Sequence, residues 1–166
     1  MQEKKPVKLD AINRKILATI HLESDITNAR LAELVNLSPA ACSQRTKALR
    51  DAGYYFNCHS EVDLDRICEH VIAYVEFTLS NNSLAQRRKF EHAIELIPEF
   101  MDCLRLSGDI DYISFTCSSS IAELNRLCDE LSSNAELGIS KVVTRIVVDR
   151  PKFYLGYPIE KLKWLE

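Results

Sequence analysis

Between Val71 and Leu79 the sequence alternates with a period of two. Val71, Ala73, Val75, Phe77 and Leu79 fall on one side, and Ile72, Tyr74, Glu76 and Thr78 on the other. An extended strand has that period and a helix does not. The pattern changes at Asn81-Asn82-Ser83, after which Leu84, Phe90, Ala93, Ile94 and Ile97 recur at helical spacing until Pro98. A strand is expected from Met101 to Leu106, a turn at Ser107-Gly108-Asp109, and a further strand from Tyr112 to Cys117, the two forming a hairpin. Ser118-Ser119-Ser120 then opens a second helix with the stripe Ile121, Leu124, Leu127, Cys128 and Leu131; Gly138 interrupts, and Val142 to Val148 read as a fourth strand. The order strand-helix-strand-strand-helix-strand leaves few topologies. It describes a split βαβ, ferredoxin-like module: a four-stranded antiparallel sheet with both helices on one face. The other face then carries Tyr74, Leu104 and Leu106 without a cover, and such a face predicts a homodimer packed sheet against sheet.

The first third of the chain has a different character. Residues 1–60 hold nine Lys/Arg against six Asp/Glu, and residues 61–166 hold twelve against eighteen, so a +3 segment precedes a −6 segment. That asymmetry predicts two modules with different partners. Leu9, Ile12, Ile16, Leu17 and Ile20 mark an amphipathic first helix. Thr27 or Asn28 caps a short second helix carrying Leu31, Ala32, Leu34 and Val35. Ser38 as N-cap and Pro39 at the first helical position begin a third helix, which runs to Ala52 and stops at Gly53. Three short helices with a tight break before the third predict a helix-turn-helix. The buried seam of the third helix is Cys42, Thr46 and Leu49. Ser43, Gln44, Lys47 and Arg50 fall on the outward side with Arg45 beside them, residue types that hold phosphates or read base edges. Tyr54-Tyr55-Phe56 and the stretch from His59 to Val62 are compatible with a small wing hairpin.

The composition excludes several classes. Gly 4 and Pro 5 in 166 residues rule out collagen-like and Pro/Gly-rich disordered chains. No apolar run approaches a membrane span, and Met1 to Pro6 is not followed by the apolar stretch of a signal peptide, so a cytoplasmic protein is expected. The cysteines at 42, 58, 68, 103, 117 and 128 show no C-x-x-C pair and no histidine at metal-ligand spacing, so they are read as structural thiols and no metal site is expected. There is no G-x-S-x-G, H-E-x-x-H or Walker loop, and His21, His59, His70 and His92 lie apart; no catalytic residue and no resident cofactor are expected.

The segment "LSPAACSQRTKALRDAGYY", followed by the split βαβ module with "SGDIDY" at its hairpin, resembles the Lrp/AsnC (feast/famine) family of transcriptional regulators across residues 8–153. The resemblance implies an α+β protein with an N-terminal (winged) helix-turn-helix domain at residues 1–60, a linker at 61–69, a ferredoxin-like effector-binding and dimerisation domain at 70–153 and a tail at 154–166. It implies sequence-specific binding of double-stranded DNA through the third helix, on whose family pattern Leu37, Ser38, Arg45, Leu49 and Gly53 fall; joined with the outward residues read above, the expected DNA-binding set is Ser38, Pro39, Ser43, Gln44, Arg45, Lys47 and Arg50. It also implies a homodimer assembling into octamers or other rings, and a small effector, an amino acid, held by Ser107, Gly108, Asp109, Asp111 and Tyr112, with Thr144 of the last strand bordering the pocket. Physically, a glycine lets main chain approach a ligand and an aspartate answers an ammonium group, although the same residues also make a plain turn. Two other readings fit the architecture: a siroheme decarboxylase-like enzyme whose histidines serve a tetrapyrrole, and a nucleoid-organising protein that wraps DNA with little sequence preference. The chain departs from the family at Tyr54-Tyr55, where an apolar Ile or Val commonly follows the glycine, at Asn57 to Asp65, and in the tail "GYPIEKLKWLE".

Overall fold

A computed structural model describes residues 7–55, 62–152, 154 and 156–164. The chain forms two compact units. One comprises the residues up to Val62 together with those from Lys152 onward, and the other is Asp63–Pro151. The tail, which the sequence set apart from both modules, therefore belongs with the first unit.

The first unit holds α1 (Ala11–Leu22), α2 (Asn28–Leu34) and α3 (Pro39–Asp51). Each starts on a side-chain cap: Asp10 accepts from the Asn13 N–H, Thr27 from Arg30 and Ser38 from Ala41. The first helix begins two residues after Leu9, because Asp10 holds the capping position; Leu9 still packs on the core. That core consists of Ile16, Leu31, Ala32, Val35, Cys42 and Leu49, drawn from all three helices. The tail lies against α1. The Tyr157 ring stacks on His21 with centroids 5.4 Å apart and planes within 4°, and the Tyr157 N–H donates to His21 Nε2. The Arg14 guanidinium sits 5.5 Å from the centre of the Trp164 ring.

The second unit holds β1 (Val71–Leu79), α4 (Leu84–Glu95), β2 (Leu104–Arg105), β3 (Tyr112–Ser118), α5 (Ile121–Ser133) and β4 (Ile139–Ile146). The strands form one sheet in the order β2-β3-β1-β4, every pair antiparallel. The register sets Ala73, Val75 and Phe77 opposite Thr116, Ser114 and Tyr112, so these residues share the face that meets the helices. Phe90 and Ile94 of α4 and Leu124, Leu127 and Leu131 of α5 complete the core. Each helix is capped by the serine expected of its opening, Ser83 and Ser120.

Several boundaries depart from the sequence reading for identifiable reasons. The strand expected over residues 101–106 keeps regular pairing only at Leu104–Arg105. Asp102 interrupts it: its Oδ1 accepts the Phe115 N–H at 2.7 Å, where a ladder carbonyl would stand, and its own carbonyl accepts from Ser114 Oγ. Leu84 and Ile121 are exposed rather than part of their stripes, because each is the first residue of its helix and lies beyond the edge of the core. The fourth strand starts at Ile139, directly after the turn at Gly138, and stops at Ile146; Val148 is 95% exposed.

The far face of the sheet is apolar and open in the single chain. Tyr74, Leu104 and Leu106 are 42%, 55% and 40% exposed, and the Tyr74 and Phe115 rings meet there at 5.0 Å. The same face carries a two-pronged ion pair, with Arg145 Nε and Nη2 at 2.6 and 3.1 Å from the Glu76 carboxylate. The arginine hydrogen bonds hold the Glu76 carboxyl below its ordinary value. Among the described residues no helix is long and apolar enough to cross a membrane.

Candidate nucleic-acid interface and effector loop

The break between α2 and α3 is rigid for local reasons. Asn36 adopts φ 55°, a left-handed conformation that asparagine tolerates better than most side chains. The Asn36 N–H donates to Glu33 O at 3.2 Å and the Leu37 N–H to Ala32 O at 2.9 Å, the paired bonds of a Schellman end. Asn28 Nδ2 then reaches Pro39 O at 2.9 Å and ties the start of α2 to the start of α3. The end of α3 repeats the motif: Gly53, at φ 79°, donates to Arg50 O at 2.8 Å and Tyr54 to Leu49 O at 3.0 Å. Both ends of the third helix are thereby fixed by hydrogen bonds that do not depend on DNA.

On this support Ser43, Gln44, Lys47 and Arg50 are exposed along one side of α3, with Ser38 and Pro39 exposed at its start. Thr46, half-buried, returns its hydroxyl to Cys42 O at 2.9 Å. The Arg50 guanidinium lies 5.1 Å from the centre of the Tyr55 ring, and the Tyr55 hydroxyl donates to Thr46 O at 3.2 Å, so this aromatic residue braces the helix end. Arg45 departs from the outward placement. Its Nη1 lies 2.7 Å from Asp10 Oδ2 and 3.0 Å from Asn13 Oδ1, turned back onto the first turn of α1. The Asp10 carboxyl is held below its ordinary value, first by the capping bond from Asn13 and then by Arg45. The stretch expected to form a wing falls largely on residues 56–61, outside the described residues.

At the other candidate site, Ser107, Gly108 and Asp109 stand exposed at the tip of the β2–β3 hairpin. Gly108 has φ 126°, which L side chains avoid, yet open space surrounds the position where a Cβ would point. Its glycine is required by backbone conformation, not by crowding. Asp111 is committed to the fold: Oδ2 accepts the Leu79 N–H at 2.7 Å and Oδ1 accepts from Asn82 Nδ2 at 2.5 Å. Tyr112 is buried, and its hydroxyl donates to Glu91 Oε1 at 2.8 Å; burial first, and Glu91 second, push the phenol above its ordinary value. Thr144 sits opposite Val75 on β4, two strands away from β3 and on the helix side of the sheet. The structure thus gathers Ser107, Gly108, Asp109 and Asp111 at one loop, and turns Tyr112 and Thr144 toward the helix layer. Asn82 and Glu91, which hold Asp111 and Tyr112, were not singled out in the sequence. Asn82 read only as part of a polar break, and Glu91 only as a charge on an amphipathic helix.

Among the described residues no group of three His, Cys, Asp or Glu side chains converges as metal ligands would. His21 is engaged by Tyr157, and His70 Nδ1 lies 3.2 Å from Cys68 O.

A helix-turn-helix unit with an exposed, partly cationic third helix, followed by an antiparallel sheet unit with an open hairpin loop, is the layout of a ligand-responsive DNA-binding regulator. Two family profiles match in the same order: "Winged helix-turn-helix DNA-binding" over residues 9–54 and "Lrp/AsnC ligand binding domain" over residues 72–155. The transcriptional regulatory protein DoeX of Halomonas elongata is 28% identical over 146 residues, 88% of this chain and 92% of its own length. The leucine-responsive regulatory protein of Haemophilus influenzae is 31% identical over 127 residues, 76% of each chain. A transcriptional regulator of Neisseria meningitidis solved in complex with L-Met shares the fold at TM-score 0.80 and 24% identity, covering 92% of this chain and 97% of that one. An AsnC family regulator of Agrobacterium tumefaciens does so at TM-score 0.79 and 23% identity, over 93% and 99%. The chain belongs to the Lrp/AsnC family: it is a DNA-binding transcriptional regulator with a ligand-binding domain.

Proposed function

We propose that this regulator reads a specific, roughly palindromic duplex site as a homodimer, and that a free amino acid bound at the Ser107–Asp111 loop tunes that binding. The observation that carries the reading is the outward side of α3. Ser43, Gln44, Lys47 and Arg50 project together from a helix anchored at both ends, so binding DNA costs little ordering of the reading surface. Lys47 and Arg50 supply the cationic contacts, and Ser43 and Gln44 the neutral groups that discriminate base edges. In a two-fold dimer the two α3 helices enter successive major grooves about one helical turn apart. The open sheet face with Tyr74, Leu104 and Leu106 supports association through the sheets. An amino acid is favoured as effector because the H. influenzae relative is described as leucine-responsive and the N. meningitidis structure holds L-Met. By linkage, such a ligand alters DNA binding only if it favours one state of the assembly over another.

The test is fluorescence anisotropy of a labelled operator fragment, selected from random duplex, across a salt titration. The double variant Lys47→Ala/Arg50→Ala removes four cations from the homodimer and is expected to weaken binding and to lower the slope of log K against log salt by up to about four. An unchanged slope removes the helix from the interface. Equal competition by selected and random duplexes replaces sequence reading with nonspecific wrapping of DNA.

A further inference from the structure

Behind the hairpin loop lies an arrangement of charge that the loop residues named above do not include. Arg87 precedes Glu91 by one turn of α4, so the two side chains share one side of that helix. Glu91 accepts the Tyr112 hydroxyl at 2.8 Å, which sets this side of α4 against β3 just where the strand leaves the loop. Arg105 is the register partner of Tyr112 across the β2–β3 pair, and directly paired residues project from the same face of a sheet. Both guanidinium groups act on the phenol electrostatically, in opposition to Glu91. Two cations and one carboxylate therefore gather around a buried tyrosine at the base of the Ser107–Asp109 tip.

The cations are not spent on the fold. Among the described residues neither Arg87 nor Arg105 has a hydrogen-bond acceptor or an ion-pair partner, and Nε of Arg87 is enclosed with nothing to accept its proton. An enclosed guanidinium N–H without an acceptor is costly, and a second cation nearby adds repulsion. A carboxylate placed between them relieves both, because the planar fork of a guanidinium matches the two oxygens of a carboxylate. The anionic groups are divided just as unevenly. Asp111 has both oxygens occupied by Leu79 and Asn82, whereas Asp109 is exposed at the tip and Glu91 uses one oxygen on Tyr112.

We propose that Arg87 and Arg105 form the carboxylate-binding half of the effector site, and that the ligand is a small zwitterion, a free α-amino acid, whose ammonium group lies toward Glu91 and Asp109. This assignment rests on the reading that the hairpin loop is the effector site. It moves the charged recognition away from Asp111 and Tyr112, which the fold already employs.

The experiment uses the full chain. The standard L-amino acids are screened by thermal shift, since a ligand that favours the native state raises the transition, and the strongest binder is followed by calorimetry. Its C-terminal amide and its des-amino acid are measured alongside. Arg87→Gln and Arg105→Gln are each expected to weaken binding about tenfold or more, as loss of a charge-assisted hydrogen bond does, and the amide is expected not to bind. Arg87→Lys keeps the charge without the Nε–H and is expected to fall between wild type and Arg87→Gln; it also serves if Arg87→Gln fails to show a cooperative unliganded transition. If wild type and both Gln variants bind alike while Asp109→Asn weakens binding, the loop remains the effector site and the arginine assignment is overturned. Equal binding of the amide overturns it as well. If no amino acid shifts the wild-type transition, both readings fall together.

Discussion

The Arg45–Asp10 contact gives a quantitative test of what a recognition-helix arginine does in this protein. The perturbation is Arg45→Ala. The ion pair is 2.7 Å long, but its side chains are 35% and 37% exposed, so solvent screening limits it to about 0.5–1 kcal/mol. The same guanidinium donates to Asn13 Oδ1, and Asn13 is 3% exposed. Removing that donor leaves a buried amide oxygen unpaired, a cost of about 1 kcal/mol or somewhat more. The expected loss is therefore ~1.5–2 kcal/mol in the helix-turn-helix unit. Urea denaturation followed by the fluorescence of Trp164, the one tryptophan of the chain and a neighbour of Arg14, reads that unit. A double-mutant cycle with Asp10→Ala isolates the pair from the rest. The pH dependence has a definite sign. The folded-state pKa of Asp10 is depressed below 3.8, so its contribution is present above that value and lost as pH falls through the lower folded value. The difference between wild type and Arg45→Ala should thus narrow in acid and stay constant from pH ~5 upward. In DNA binding, Arg45→Ala should leave the salt slope nearly unchanged, because a paired guanidinium releases no counterion from the duplex. Unchanged stability together with a slope lower by about two, one for each protomer of the dimer, refutes the reasoning and returns Arg45 to the DNA.

Two further outcomes follow from local geometry. Gly108→Ala, placed at φ 126° in open space, is expected to cost about 1–2 kcal/mol from backbone strain alone, seen as a lower midpoint of thermal unfolding without loss of cooperativity. Cys103, whose thiol is pushed up to about 11 by burial and then by Asp102 and Glu91, is expected to resist alkylation at neutral pH while exposed Cys68 reacts; peptide mass mapping after timed iodoacetamide treatment distinguishes them.

Periodicity carried most of the architecture. Strand β1, both sheet helices and the three N-terminal helices follow from apolar spacing and from Thr and Ser at the caps, because these are local signals and the tertiary contacts agree with them; the Asp10 cap of α1 was not among them. Strand β2 was overestimated because nothing in "MDCLRL" marks Asp102 as a side chain that takes a ladder position from the backbone. The reading side of α3 was visible as a set of residues, but the fate of one member was not. Whether Arg45 faces outward depends on Asp10 and Asn13, more than thirty positions away in the chain. The hairpin loop was visible for the same local reasons as any turn, whereas Glu91 and Arg105 come to Tyr112, with Arg87 one turn away on the same side of α4, only after α4 has folded over the sheet.

The Asp102 kink has a consequence for how copies of this protein can gather. It breaks the pairing of the outermost strand on that side into two short stretches, Leu104–Arg105 and the bridge of Phe100 with Thr116. A newcomer strand finds almost no straight edge on which to zip. Association along the flat of the sheet is left open, while sideways growth into ribbons or fibrils is blunted by a single carboxylate.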